Sequence, residues 1–280
     1  MQGELFLPCG DYGGSRMERI KLIACDLDGT LLLNGAQSLR DDTCGLISRL
    51  MDEKDIMFCA ASGRQYANLC RLFAPVKDRI SYLCENGSLC YIEGKVIHKD
   101  IMDAELAKEI ITEILNTDGA ETLVSGEKIH YIQPKEPSFL HHMRDVVRND
   151  VISVPDLTDI PEPCIKVSVF ERGGLKDQAR WHQRFGDRCT VVTGGGEWLD
   201  MMPKGVNKAT GLRFILDRFG VAPAECMAIG DNDNDLEMLA MAGLPAAVLT
   251  AKPSVLAIAK IKTNTVEDLF EKILHGDPVL

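Results

Sequence analysis

Short apolar runs alternate with amphipathic segments at both ends of the chain. Each run holds four to six residues and ends at a polar cluster, which is typical of strands buried on both faces of a parallel sheet. The runs are 20–25, 56–61 and 80–84, and later 226–229 and 246–249. Helical spacing between them predicts helices at 38–54 (with Ser38 as N-cap), 66–73, 207–219, 235–241 and 266–274. This alternation predicts an α/β fold with an open parallel sheet.

The middle of the chain has a different pattern. It is interrupted by five prolines and contains possible helices at 104–115 and 175–185 and β-like runs at 128–132 and 165–170. About a hundred residues between two halves of one sheet indicate an inserted α+β domain, which we expect at 88–193. The sheet domain would then consist of 18–87 and 194–280, after an N-terminal extension at 1–17.

Composition narrows the possible partners. The chain has 280 residues and a formal net charge of −11, which disfavours binding to nucleic acid or to an anionic membrane. No apolar run approaches the roughly 18 residues that span a bilayer, and the first residues do not resemble a secretory signal. Cys25, Cys59, Cys84 and Cys226 lie in apolar runs, so we expect reduced, buried thiols in a cytoplasmic protein.

Polar residues follow the predicted strands where a parallel sheet binds its ligands, at the carboxyl ends. These residues are Asp26 and Asp28 after the first strand, Ser62 and Arg64 after the second, and Asp231, Asn234 and Asp235 after a later one, with Lys208 at the start of a helix. Clustered carboxylates repel one another, and oxygen ligands suit Mg²⁺. A magnesium ion and Lys208 together could neutralise a phosphoryl group while a carboxylate attacks it.

Simpler interpretations exist for each feature taken alone. A single Asp after a strand is usually a turn or cap residue, and Ser-Gly is usually a turn. The acidic series beginning at Asp231 suggests a calcium loop, but Leu236 and Ala242 occupy the positions that need Gly and Glu. The order and placement of all the motifs favour a functional site.

In combination the motifs resemble the haloacid dehalogenase-like (HAD) hydrolase superfamily, and within it the Cof-type sugar-phosphate phosphatases. The four matching segments are Asp26-Leu27-Asp28-Gly29-Thr30, Ser62-Gly63-Arg64, Lys204-Gly205-Val206-Asn207-Lys208 and Gly230-Asp231-Asn232-Asp233-Asn234-Asp235. The resemblance covers about residues 18–275 and implies a Rossmann-like core with an inserted cap. The chain departs from the family pattern at Ala209 and at 246–250.

The resemblance also implies roles for individual residues. Asp26 would be the nucleophile that forms an aspartyl-phosphate, and Asp28 the general acid and base, with its backbone carbonyl also binding the metal. Asp231 would bind Mg²⁺ together with Asp26, and Asp235 would orient the waters of the metal. Lys208 would hold phosphate and steady Asp26.

Further residues would contact the substrate. Ser62, Gly63 and Asn234 would bind phosphate, whereas Arg64 and Asn86 would face the cap. His130, Arg144 and Trp198 are candidates for selecting the substrate, although each could be structural.

The expected function is a Mg²⁺-dependent phosphatase that hydrolyses a sugar phosphate or a similar small phosphorylated metabolite, as a monomer or a small homo-oligomer. Two alternatives remain open from the residues. One is a phosphomutase of the phosphomannomutase type, and the other is a non-enzymatic phosphoryl-accepting module. Asp28 argues against the module, because an acid two residues after the nucleophile would hasten hydrolysis.

Overall fold

The computed structural model describes residues 20–277, so the predicted extension at 1–17 lies outside the described residues. Two sheets, one of eight strands and one of six, organise this part of the chain. No helix within it combines the length and the apolar character needed to cross a bilayer.

The larger sheet is built from both ends of the described chain. Its strands are β1 (Leu22–Cys25), β2 (Met57–Ala61), β3 (Ser81–Cys84), β4 (Leu89–Ile92), β5 (Lys95–Lys99), β12 (Cys226–Gly230), β13 (Leu244–Val248) and β14 (Ile261–Thr263). They follow the order β14-β13-β12-β1-β2-β3-β4-β5. The first six in this order are parallel, and β4 and β5 complete the edge as an antiparallel hairpin. The predicted parallel α/β core is confirmed, with a hairpin that the sequence pattern did not reveal.

Strand β1 lies between β2 and β12, and all four of its residues are buried. The helices of this part are α1 (Thr43–Lys54), α2 (Tyr66–Leu72), α6 (Lys208–Phe219), α7 (Leu236–Met241), α8 (Pro253–Ile258) and α9 (Val266–His275). The prediction of Ser38 as an N-cap was wrong, because α1 begins at Thr43, whose hydroxyl donates to the buried Glu267 at 2.6 Å. This bond fixes the start of α1 against α9, and the N-cap, Asp42, lies four residues after the predicted Ser38.

The second sheet belongs to the inserted segment. Its strands are β6 (Ala120–Ser125), β7 (His130–Ile132), β8 (Val151–Ser153), β9 (Lys166–Glu171), β10 (Cys189–Gly195) and β11 (Trp198–Pro203). The order is β10-β11-β9-β6-β7-β8, antiparallel except between β7 and β8. Helices α3 (Ala104–Leu115), α4 (Pro137–His141) and α5 (Gln178–Phe185) accompany it, and a π-helical turn at His142–Val146 continues α4. The segment is α+β, as predicted.

Both predicted boundaries of the insert need correction. Strands β4 and β5, which the sequence assigned to the insert starting at residue 88, extend the larger sheet as far as Lys99. Strand β11, assigned to the core after residue 193, pairs with β9 and β10 in the smaller sheet. The sequence assigned these strands wrongly because the sheet that a strand joins is determined by hydrogen bonds to its partner strands. The residues of an edge hairpin do not themselves indicate which sheet that is. The insert therefore spans about residues 100–203, and we call this segment the cap.

Candidate active site

The carboxyl end of β1 begins the site. Asp26 directly follows β1 and is 5% exposed, and the next turn contains Asp28 and Gly29. Gly29 has φ +91°, and a Cβ at this position would lie 2.3 Å from Oδ2 of Asp231. Only glycine therefore lets this turn pass so close to the loop after β12.

A buried ion pair joins three of the predicted residues. Lys208, the first residue of α6, places its Nζ 2.5 Å from Oδ1 of Asp26 and 2.7 Å from Oδ1 of Asp235. Burial raises the pKa of Asp26 well above its usual range, and Asp235 adds to the effect while Lys208 opposes it. Burial alone would lower the pKa of Lys208, but Asp235 and Asp26 raise it. Two carboxylates share one ammonium, so the group carries excess negative charge.

A third carboxylate increases that excess. One oxygen each from Asp26, Asp231 and Asp235 lie within 4.8 Å of one another. Burial raises the pKa of Asp231, an effect opposed by a 2.9 Å hydrogen bond from the Thr30 hydroxyl. Buried carboxylates this close need a cation to remain ionised together. These residues fit Mg²⁺, which favours hard oxygen ligands.

Asp235 also shapes the loop that carries Asp231. Its Oδ2 accepts hydrogen bonds of 3.1 Å from the backbone N–H groups of both Asp231 and Asn232. Its other oxygen accepts from Lys208. Both oxygens of this fully buried side chain are therefore engaged, which orients the acidic loop against α6.

Asp28 lies apart from the three clustered carboxylates. Its side chain is 52% exposed and pairs with Arg64, whose Nε and terminal nitrogen donate to the two oxygens at 2.8 and 2.6 Å. This fork-shaped pairing fixes the orientation of the Asp28 carboxylate. Asp28 thus faces the same cavity as Asp26 from a more hydrated position.

The remaining predicted phosphate ligands gather around Asn86. Its amide nitrogen donates to Asp200 of the cap at 2.7 Å, and its oxygen accepts from Asn234 at 3.3 Å. Gly63 lies next to it, because a Cβ on Gly63 would be 3.0 Å from the Asn86 amide. Ser62 is buried, and its hydroxyl accepts from the backbone N–H of Arg64.

One cavity of about 330 Å³ lies between the core and the cap, and Lys208, Asp231 and Asp235 are not among its lining residues. Seven predicted residues form its core side: Asp26, Asp28, Ser62, Gly63, Arg64, Asn86 and Asn234. Of the three cap candidates, His130 and Trp198 line the cavity. Arg144 instead borders a separate depression, which Arg71 of the core also lines, and its guanidinium donates to the carbonyl of Val151.

The sequence interpretation missed a network of buried charges that joins the core to the cap. Glu85 of the core lies 2.8 Å from both His130 and Lys166, and Lys166 lies 3.1 Å from Asp200. Burial alone would raise the pKa of the Glu85 carboxyl, but Lys166 and His130 lower it to about 2. Burial alone would lower the pKa of Lys166, but Asp200 and Glu85 raise it. We call Glu85, His130, Lys166 and Asp200 the cap–core network.

A weak signal for this network was present in the sequence. Asp200 stands in an otherwise apolar strand segment, and Lys166 lies between the apolar residues Ile165 and Val167, where a charge without a partner would be costly. Glu85 precedes the motif residue Asn86, and both have left-handed backbones, with φ of +51° and +56°. Such a conformation costs a glutamate about 1 kcal/mol, so packing and the charge network must hold it in place. The sequence could not indicate which strand carried the partner of each charge.

A parallel sheet with acidic side chains at its carboxyl edge, a buried lysine and a covering insert together define a hydrolase of the α/β class. Residues 23–269 match the family model of haloacid dehalogenase-like hydrolases. The chain belongs to this family, as the four sequence motifs indicated, and it is an enzyme.

Individual relatives agree with this assignment over nearly the whole chain. The chain is 28% identical over 269 residues to 5-amino-6-(5-phospho-D-ribitylamino)uracil phosphatase YbjI of Escherichia coli, covering 92% of this chain and 97% of that protein. It is 28% identical over 244 residues to an HMP-PP phosphatase of Enterobacter, covering 85% and 87%. A crystal structure from Eubacterium rectale superposes with a TM-score of 0.80 at 29% identity, covering 91% of this chain and 99% of that one.

Proposed function

We propose that this hydrolase is a Mg²⁺-dependent phosphatase that cleaves a small phosphomonoester through an aspartyl-phosphate on Asp26. The observation that carries the proposal is the setting of Asp26, which is buried beside Lys208 and two further carboxylates and lines the cavity between the core and the cap. Two relatives are phosphatases by name, which supports the same reaction for this chain.

Asp26 acts as the nucleophile. One carboxylate oxygen attacks phosphorus, the bond from phosphorus to the ester oxygen breaks, and the leaving group departs on the opposite side. Lys208 already donates to Oδ1 of Asp26, which leaves Oδ2 as the attacking atom. The same ammonium offsets charge on the phosphoryl oxygens as they approach. Ser62 and Asn234, which line the same cavity, hold those oxygens by hydrogen bonds.

Asp28 moves the protons. In its acid form it donates a proton to the departing alkoxide, and the resulting carboxylate then takes a proton from the water that attacks the aspartyl-phosphate. The second step breaks the bond between phosphorus and Asp26 and releases inorganic phosphate. Arg64 keeps the Asp28 carboxylate oriented towards the cavity for both steps.

Asp26, Asp231 and the backbone carbonyl of Asp28 would hold Mg²⁺, with Asp235 behind them. When bound, the ion supplies positive charge that lets a carboxylate approach an anionic phosphoryl group. The cap would exclude bulk water from this reaction.

A phosphate-release assay tests the proposal. The purified protein with Mg²⁺ is offered p-nitrophenyl phosphate, hexose phosphates, flavin mononucleotide and pyridoxal 5′-phosphate. We expect release of inorganic phosphate from at least one of these esters. Transfer of phosphate between positions of a hexose phosphate without release would instead indicate the phosphomutase, and no turnover of any ester would overturn the phosphatase assignment.

A further inference from the structure

The cap half of the cavity contains several charges, and all of its described cations are already paired. Lys166 has three N–H donors, and they meet the carbonyl of Gly63 at 3.0 Å, Glu85 at 2.8 Å and Asp200 at 3.1 Å. Arg64 donates to Asp28 and to Asn68. Lys166 retains no donor for a second anionic group on a substrate, and each of the three Arg64 nitrogens already has a partner in the core.

Neither histidine of the cavity supplies a free positive charge. Both ring nitrogens of His130 already have partners, because Nδ1 lies 3.0 Å from the Asn149 amide nitrogen and Nε2 lies 2.8 Å from Glu85. For His142, burial lowers the pKa and favours the neutral ring.

Among the cap residues that line the cavity, carboxylates outnumber lysines and arginines. Glu197 and Asp200 are the lining carboxylates, and Lys166 is the one lining lysine or arginine of the cap. Glu85 lies directly behind Lys166 and His130. A second anionic group on the leaving group would lie close to Glu197 and Asp200 and would find no free cation among the cap residues that line the cavity.

Asp200 also retains capacity to accept a hydrogen bond. Its Oδ2 accepts from Asn86 and Lys166, whereas among residues 20–277 its Oδ1 accepts only the Ser168 hydroxyl, at 2.6 Å. A carboxylate oxygen accepts two hydrogen bonds, so one place remains on a residue that lines the cavity. Trp198 and His142 provide aromatic surface in the same cavity, and both pack on Phe170.

We propose that this subsite selects phosphomonoesters whose leaving group has no second anionic group and donates a hydrogen bond, from a hydroxyl or an amine, to Asp200. The inference rests on the proposed phosphatase function and narrows its substrate class. It excludes bisphosphates and carboxylated phosphate esters as good substrates.

Three aryl phosphates that differ at the para position test the inference in the wild-type protein. The substituents are hydroxymethyl, aminomethyl and carboxylate, which are neutral, cationic and anionic at neutral pH. We expect kcat/KM for the carboxylate to be at least tenfold below that for the hydroxymethyl ester, and the aminomethyl ester to equal or exceed the latter. Equal or faster turnover of the carboxylate would overturn the inference and leave the phosphatase assignment intact. No turnover of any ester would overturn both.

The variant Asp200→Asn tests which residue is responsible. It removes one negative charge and keeps the side-chain shape, so we expect the ratio of kcat/KM between the hydroxymethyl and carboxylate esters to fall at least threefold. Asp156→Asn is the matched control, because Asp156 is an exposed cap carboxylate outside the cavity, and its ratio should equal that of the wild type. An unchanged ratio in Asp200→Asn would overturn the role of Asp200. If that variant does not fold, the substrate series in the wild-type protein decides the inference.

Discussion

Lys208 and Asp235 form a salt bridge of 2.7 Å in which both side chains are almost completely shielded from solvent. The carboxylate at the other end of this bridge holds the backbone of the acidic loop, so the pair connects α6 to Asp231. Loss of the Lys208 charge would leave Asp26 and Asp235 buried without a cation, and loss of the Asp235 charge would leave Lys208 with Asp26 alone.

Asp235→Asn should therefore lower both stability and activity. An amide group in place of Oδ2 or Oδ1 would point a donor at backbone N–H groups or at the ammonium. We expect a loss of about 3 kcal/mol in the free energy of unfolding. Asp233→Asn is the matched control on the same loop, where an exposed pair with Lys252 contributes less than about 1 kcal/mol. Urea titration of the two variants measures the difference, and equal losses would contradict the role assigned to Asp235.

Asp26 and Asp28 have different proposed roles, so substitutions at the two positions should impair different steps of the reaction. Asp26→Asn should reduce phosphate release at least ~1,000-fold and form no covalent intermediate, because an amide is a poor nucleophile. Asp28→Asn retains the nucleophile but lacks the base, so phosphorylated protein should accumulate after mixing with substrate. Mass spectrometry of the intact protein detects one added phosphoryl group. A phosphorylated Asp26→Asn protein would refute the assignment of the nucleophile.

Metal dependence follows from the excess negative charge around Asp26, Asp231 and Asp235. Chelation should abolish turnover, and Mg²⁺ should restore it. Ca²⁺ should not restore it, because its looser and higher coordination disturbs an in-line attack. Thermal unfolding gives a second readout, since Mg²⁺ bound to the folded state should raise the melting temperature. Full activity in excess chelator would contradict the metal site.

Gly29 lies where the turn after β1 passes close to the loop after β12, so a larger residue at this position should disturb the site by steric crowding. Gly29→Ala would place a methyl group 2.3 Å from Oδ2 of Asp231, and this crowding should displace the carboxylate and reduce activity strongly. Gly35→Ala is the matched control, because its φ of +74° imposes a similar backbone strain while the space around it is open. We expect Gly35→Ala to be destabilised by about 1 kcal/mol and to keep its activity. Steady-state kinetics of the two variants separates crowding from strain, and equal activity in both would show that the close approach does not matter.

The buried Glu85 carboxylate should make the free energy of unfolding depend on pH. The pKa of this carboxyl falls from an ordinary value of 4.5 to about 2 in the folded protein, so its ionised form stabilises folding by about 3 kcal/mol. This stabilisation is complete above pH 4.5 and declines as the pH falls towards 2. Glu85→Gln should therefore be less stable than the wild type at pH 7, and the difference should shrink between pH 5 and pH 3. The exposed Glu105→Gln serves as control, and a constant difference across this range would contradict the prediction.

The location of the candidate site was easier to predict from the sequence than the boundaries of the cap. Asp26, Ser62 and Asp231 each end a short apolar run, so local pattern and strand direction together placed them at one edge of the sheet. Residues 89–99 and 198–203 were assigned to the wrong sheets, because strand pairing depends on partners distant in the chain. The cap–core network escaped prediction for the same reason, since the contact between Glu85 and Lys166 joins residues 81 positions apart.

The chain passes between the two sheets only after β5 and before α6, and α6 itself packs against β4 and β5. The hydrogen-bond ladder of the larger sheet is therefore complete without any strand from residues 100–203. Under the proposed function, substrate preference and reaction chemistry therefore belong to separate stretches of one polypeptide. Exchange of that stretch for its counterpart from a relative could change the molecule that is recognised while the reacting groups stay the same. In such an exchange, the C-terminal boundary of the exchanged segment would be the more sensitive one, because Lys208 begins α6 shortly after the chain re-enters the core.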